Sequence, residues 1–220
     1  MNASPSCVAV IGDIVQSRRI KDRSAAQDDL GELVRHLNTV LAPHLLAPFQ
    51  ISRGDEIQAI LGCAVVIPDL VWDTLTHFAH PIRFGFGLGQ LNTELGPDPR
   101  QTDGPAWWNA RAAIQSSVQT KRLGGVLVGF GDPDDLALTA FATLLQHMRG
   151  RFTQRQLAVV SLLRTGLDMV AVAQRLKITK QAISRVAGAA GWRSYQEGEI
   201  AWRALLAQHD YSNQWKHAGL

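Results

Sequence analysis

The sequence predicts an α+β chain in two parts, a mixed sheet domain over residues 1–150 followed by an all-α module over residues 151–220. Two observations carry this. Short apolar, strand-like runs alternate with stretches of helical period as far as residue 150, and beyond it only helical period remains. The charge divides at the same place, with 12 Lys and Arg against 15 Asp and Glu before it and 10 against 4 after it. The halves therefore carry −3 and +6, which directs a polyanion to the second.

Taken in order, residues 8–15 form a strand whose apolar run ends in Gly12-Asp13-Ile14-Val15. Leu30, Leu33, Val34, Leu37 and Leu41 recur at helical spacing and place a helix over about residues 24–42, closed by Pro43. Two short runs, 49–53 and 56–62, flank Arg53-Gly54-Asp55 as the strands of a hairpin flank its turn. Pro68 opens a second helix, and Pro81 introduces the glycine-punctuated strand Ile82 to Gly89. Residues 92–102 read as a loop, Asp103-Gly104-Pro105 as the cap and first turn of a helix to about Val118, 126–130 as a strand and 133–149 as a helix.

Composition narrows the function classes. The longest apolar runs, Ala64 to Ile67 and Val126 to Phe130, are far shorter than the roughly 20 residues that span a bilayer. No secretory signal is read at the N-terminus, so a cytoplasmic location without a membrane partner is expected. Cys7 and Cys63 lack metal-ligand spacing and read as buried thiols.

The chemistry concentrates at the ends of two strands. Asp13 and Asp55 are separated by one helix length, an arrangement suited to a two-carboxylate metal site. One carboxylate on each of two adjacent strands can hold the divalent ions that neutralise triphosphate charge. Each aspartate also has a plainer use, Asp13 as a cap and Asp55 as a turn residue. Trp107-Trp108 is expected in a core, and His36, His44, His77 and His80 form no ligand set by spacing.

The phrases Gly12-Asp13-Ile14-Val15, Gly54-Asp55-Glu56, Arg83-Phe84-Gly85 and Asp103-Gly104-Pro105-Ala106, followed by a helical tail, are similar to the SatD family over nearly the whole chain. Ile11 to Ser17, Arg53 to Ile57 and Ile82 to Gly85 also resemble the strand, hairpin and following strand of class III nucleotidyl cyclases and GGDEF synthases. That resemblance implies a ferredoxin-like palm. It implies that Asp13, the Ile14 carbonyl and Asp55 bind Mg²⁺ or Mn²⁺, that Glu56 completes the site, and that Asp13 and Asp55 are the catalytic pair if the palm is active. It further implies that Gly54 admits a phosphate and that Arg18, Arg19 and Lys21, just past the first strand, face the phosphates of a nucleoside triphosphate or related nucleotide, while Arg53, which replaces the first glycine of the GGDEF hairpin, either binds a phosphate or obstructs it. One departure stands out. Cyclases carry an Asn and an Arg four residues apart on the helix after these motifs, whereas Asn109 and Arg111 are two apart and so on nearly opposite faces.

In the second half, Phe152 to Leu157, Val170 to Leu176 and Lys180 to Val186 read as successive helices, with a further helix over about residues 195–208. They form a helix-turn-helix pattern that resembles sigma-factor region 4. Ala173 is small where helices cross, Ile178 plugs the turn, Thr179 caps the third helix, and Ile183 and Val186 face the core. Lys177, Thr179, Lys180, Gln181, Ser184 and Arg185 are then the expected contacts to double-stranded DNA. The expected function is a cytoplasmic, homodimeric regulator of transcription whose palm binds a Mg-nucleotide. A synthase making a nucleotide signal by phosphoryl transfer and an inactive palm serving as a dimer scaffold are the alternatives.

Overall fold

The computed structural model describes residues 5–52, 54–211 and 215, and of Arg18 the backbone only. Among the described residues it is a mixed α+β structure with one five-stranded sheet and eight α-helices. Strand β1 (Cys7–Ile14) is flanked by antiparallel neighbours on both sides, which explains its almost unbroken apolar run. The sheet order is β2 (Leu45–Ile51), β3 (Glu56–Leu61), β1, β4 (Ile82–Gly89) and β5 (Val126–Val128), with β4 and β5 parallel.

Helix α1 (Arg23–Val40) starts on Asp22, whose carboxylate accepts from the Ala25 N–H at 3.0 Å, and it buries Ala26, Leu30, Leu33 and Leu37. Strand β2 begins four residues before the expected 49, even though it contains Pro48. It is an edge strand, and its pairing with β3 shifts register on both sides of Ala47, so a residue without an N–H is tolerated there. The Asn38 side chain completes the edge by accepting from the Phe49 N–H at 2.7 Å and donating to the Phe49 carbonyl at 3.0 Å.

Helix α2 (Ile67–His77) has Pro68 in its first turn. Helix α3 (Pro105–Thr120) is capped by Gly104 and not by Asp103, whose carboxylate instead accepts from Trp108 Nε1 at 3.0 Å. Trp107 is buried, whereas Trp108 is 57% exposed, so only the first of the pair packs as expected. Strand β5 is shorter than the expected 126–130. The Asp135 carboxylate, in the first turn of α4 (Asp132–Arg149), accepts from the N–H groups of Gly129 and Phe130 that a longer strand would use.

Helix α3 lies directly on β4. The face it covers carries Gly85, Gly87 and Gly89, and a methyl group on Gly85 would lie 2.5 Å from the Ala110 carbonyl oxygen. A methyl on Gly87 would overlap Ala110 N and the Ala106 carbonyl oxygen. In register beside them on β1 are Ile11, Ala9 and Cys7, which join Ala106, Trp107, Ala110 and Ile114 in one buried cluster. Burial pushes the Cys7 thiol up to about 12, in keeping with an inert thiol, and the buried Cys63 has its Sγ 3.4 Å from His44 Nδ1.

The chain divides into two compact units, Met1–Thr143 with Trp202–Leu220, and Leu144–Ala201. The boundaries fall within α4 and within α8 (Trp192–Ala207). In the first unit the returning segment is held by Arg203, which donates to both Asp69 carboxylate oxygens at 2.7 and 2.9 Å and to the Val65 carbonyl at 2.9 Å. Further on, His209 Nε2 lies 2.7 Å from Asp134 Oδ2, and the buried Trp215 donates its indole N–H to the Ser6 carbonyl at 2.8 Å.

The second unit contains α5 (Gln154–Arg164), α6 (Met169–Leu176) and α7 (Lys180–Ala189). Thr153 and Gln156 form a reciprocal capping box at α5. Arg164 and Glu199 form a two-pronged ion pair at 2.6 and 2.7 Å, with both side chains about 10% exposed. On the last helix Trp192 and Leu206 are buried and Leu205 is partly buried, while Ile200 is 60% exposed. No helix among the described residues is long and apolar enough to cross a membrane.

Candidate functional site

Strand register builds the acidic end of the sheet. Asp13 sits opposite Glu56 on β3 and opposite Arg83 on β4. The β2–β3 turn follows the same strand end, where the Ile14 N–H reaches the Asp55 carbonyl at 3.4 Å and the Ser52 N–H donates to the Glu56 carbonyl at 2.7 Å. Gly54 holds φ +65°, the left-handed conformation that favours glycine, and a methyl group there would meet nothing within 4 Å. Its backbone is therefore open to approach. Gly12 is small for another reason: a methyl there would press on Ile57 and Phe84 at 2.8 Å.

The electrostatics of this end favour a cation. The Asp13 carboxyl is held above its ordinary range, first by burial and then by the charge of Asp55, with Glu56 raising it further and Arg83 opposing. Arg83 only partly compensates, since its Nε is 3.8 Å from Asp13 Oδ2 and, although buried, has no hydrogen-bond partner. Glu56 is more firmly held. One oxygen accepts from Arg111 at 2.8 Å, and the other accepts from Gln58 at 2.6 Å and from Arg111 at 3.4 Å. Asp13, Asp55 and the Ile14 backbone thus remain the donors best suited to a hard divalent ion, with Glu56 oriented by its guanidinium partner beside them.

Asp55 and Gly54 also line a small cleft of about 40 Å³, together with Ile14, Ser17, Arg23 and Gln27. Gln27 donates to the Gly54 carbonyl at 3.2 Å and ties α1 to the turn. Asp13 and Ile14, being consecutive in a strand, project to opposite faces, so Asp13 lies on the side covered by α3 and Ile14 on the cleft side. Arg19 and Lys21 line an open groove next to it, together with Asp22, Asp29 and His80. Of the expected phosphate contacts, Arg53 and the Arg18 side chain lie outside the described residues.

Three side chains at this end do not follow from reading motifs. Arg83, Gln58 and Arg111 are brought to the carboxylates by strand register and by helix placement, which no local pattern encodes. Asn109 and Arg111 leave α3 on opposite flanks, as their spacing requires. Asn109 donates to the Leu88 carbonyl at 2.8 Å and Arg111 reaches Glu56, so both are engaged within the protein.

In the helical unit, Lys177 takes a left-handed conformation at φ +54° and Thr179 accepts from the Ala182 N–H at 3.2 Å, which ends α6 and starts α7 within three residues. Ile183 and Ala187 are buried, as is Ala173 on α6, whereas Val186 is only partly covered. The same helical repeat leaves Lys177, Thr179, Lys180, Gln181, Ser184 and Arg185 exposed. The unit holds nine Lys and Arg against three acidic residues.

These features define a mixed α+β chain with an acidic strand-end site and a basic helical unit. The SatD family model matches residues 7–206, and the chain belongs to the SatD family. No curated protein matches it.

Proposed function

We propose that this SatD-family chain is a cytoplasmic DNA-binding regulator whose palm-like sheet unit binds a nucleotide through Mg²⁺ or Mn²⁺. The observation that carries the reading is the convergence of Asp13, Asp55 and Glu56 at one strand end, with the Asp13 carboxyl raised first by burial and then by the charge of Asp55. A divalent ion would relieve that repulsion and would bridge the carboxylates to phosphate oxygens. The strand order β2-β3-β1-β4, with α1 and α2 as its connecting helices, is compatible with a ferredoxin-like palm. Binding is favoured over turnover because Asn109 and Arg111, the nearest counterparts of the ribose- and transition-state-binding pair of cyclases, are engaged with Leu88 and Glu56.

The test is to equilibrate the full chain with each ribonucleoside triphosphate and Mg²⁺ or Mn²⁺, and to measure both retention and small-molecule products. Retention without products, lost by at least about tenfold in Asp55→Ala, is the expected result. Products absent from the variant would make the chain a synthase. Neither retention nor products would leave a silent sheet unit acting as a scaffold.

DNA binding is the second half of the proposal, supported by the exposed Lys180, Gln181, Ser184 and Arg185 on a capped helix of a basic unit. Lys180→Ala should weaken binding evenly across duplex sequences and reduce the slope of log affinity against log salt by about 1. Arg185→Ala should relax sequence preference and cost about 1–3 kcal/mol on a selected site. Titrations of duplex DNA at several salt concentrations distinguish these results, and unchanged affinity and slope in both variants would remove α7 as the reading helix.

A further inference from the structure

Away from the acidic strand end, α1 and α2 bring together His36, Asp73 and His77, whose ligand atoms all lie within 4.8 Å of one another. Asp73 and His77 are four apart on α2 and therefore share a face, and His36 meets them from α1. The two imidazole rings stack with centroids 3.9 Å apart. His36 Nε2 is buried without a hydrogen-bond partner and stands 3.8 Å from Asp73 Oδ2. That separation is too long for a hydrogen bond. It is close to the edge of about 3.3 Å that two ligands span on a tetrahedral zinc ion.

His77 is oriented for the same role. Its Nδ1 lies 2.9 Å from the Asp73 backbone carbonyl, which can only accept, so Nδ1 carries the proton and the Nε2 lone pair of the neutral ring is available. A metal-binding histidine commonly has its other nitrogen fixed in this way. The geometry points to a binding site for a zinc-type divalent ion made by His36 Nε2, His77 Nε2 and an Asp73 carboxylate oxygen, with water as the fourth ligand. Two imidazoles and one carboxylate select zinc, cobalt or nickel over magnesium, which takes oxygen ligands. Small rotations of the side chains close the set, and the bound ion pins α1 to α2.

Cobalt(II) supplies the readout, because its visible absorption reports tetrahedral coordination. The full chain, freed of metal, is titrated with cobalt(II) in excess Mg²⁺, and zinc is then added. Wild type should develop tetrahedral bands at one equivalent, and zinc should abolish them. Asp13→Ala/Asp55→Ala should retain the bands, which separates this site from the strand-end carboxylates. His77→Gln, at an exposed position and so compatible with folding, should reduce cobalt affinity at least about tenfold, with circular dichroism verifying the fold. Absence of tetrahedral bands in wild type, or bands unchanged in both His36→Gln and His77→Gln, would overturn the site.

Discussion

Gly87→Ala is expected to destabilise the sheet-bearing unit by about 3 kcal/mol or more, the upper end of what overpacking does. The added methyl overlaps Ala110 N and the Ala106 carbonyl oxygen, which are backbone atoms of α3. A side chain could rotate away, but a helix must lift off the sheet and uncover Ala106, Ala110 and Ile114. In thermal denaturation this should appear as a midpoint lower by about 6–12 °C. Gly31→Ala provides the matched control. Gly31 lies inside α1 with nothing within 4 Å of the position its methyl would take, and alanine there should raise stability by about 0.5–1 kcal/mol. A similar loss in both variants would mean that the β4 glycines are not what allows α3 its close approach.

Asp13→Asn should separate binding from stability. The Asp13 carboxyl is raised by burial first and by Asp55 second, so its ionised form is less comfortable in the folded chain than in the unfolded one. For a raised carboxyl, the stabilising contribution is fully present below the unfolded value, near pH 4, and is lost as pH rises through the folded value. At neutral pH the native aspartate therefore opposes folding, and asparagine removes that opposition. Without metal, Asp13→Asn should unfold at the same temperature as wild type or higher at pH 7, with the advantage shrinking as pH falls toward 4. With Mg²⁺ and nucleotide the order should reverse, because only wild type gains from the ligand, and affinity should fall at least about tenfold. Melting curves at several pH values, with and without ligand, check both halves. A lower midpoint for the ligand-free variant at pH 7 would show that the contact with Arg83 outweighs the repulsion.

How much was legible in the sequence depended on the range of the signal. The runs of β1 and β4 and the leucine period of α1 are local, and their elements form within a few residues of where pattern alone puts them. The caps at Thr153 and Thr179 are also local, and both form. Asp103 does not cap α3 because its carboxylate accepts from the Trp108 indole, a partner five residues on, while Gly104 holds the cap position through its backbone alone. The carboxylates of the strand end could be named from motifs, but their partners could not. Arg83 reaches Asp13 through strand register, and Arg111 reaches Glu56 across 55 residues of chain. The His36, Asp73 and His77 cluster was invisible for the same reason, since its members sit on two helices whose contact has no sequence signature.

The hold of Trp215 on Ser6, with Arg203 on Asp69 and His209 beside Asp134, changes what counts as a removable part of this chain. Residues 144–201 are an insertion in the first unit's sequence, because the chain leaves that unit once and comes back to finish it. A fragment ending at residue 150 would lack the indole that fills the cluster beside Cys7, Ala9 and Ile11, and would leave an apolar socket open to water. A fragment that keeps this socket closed must therefore carry the returning segment as well as residues 1–143.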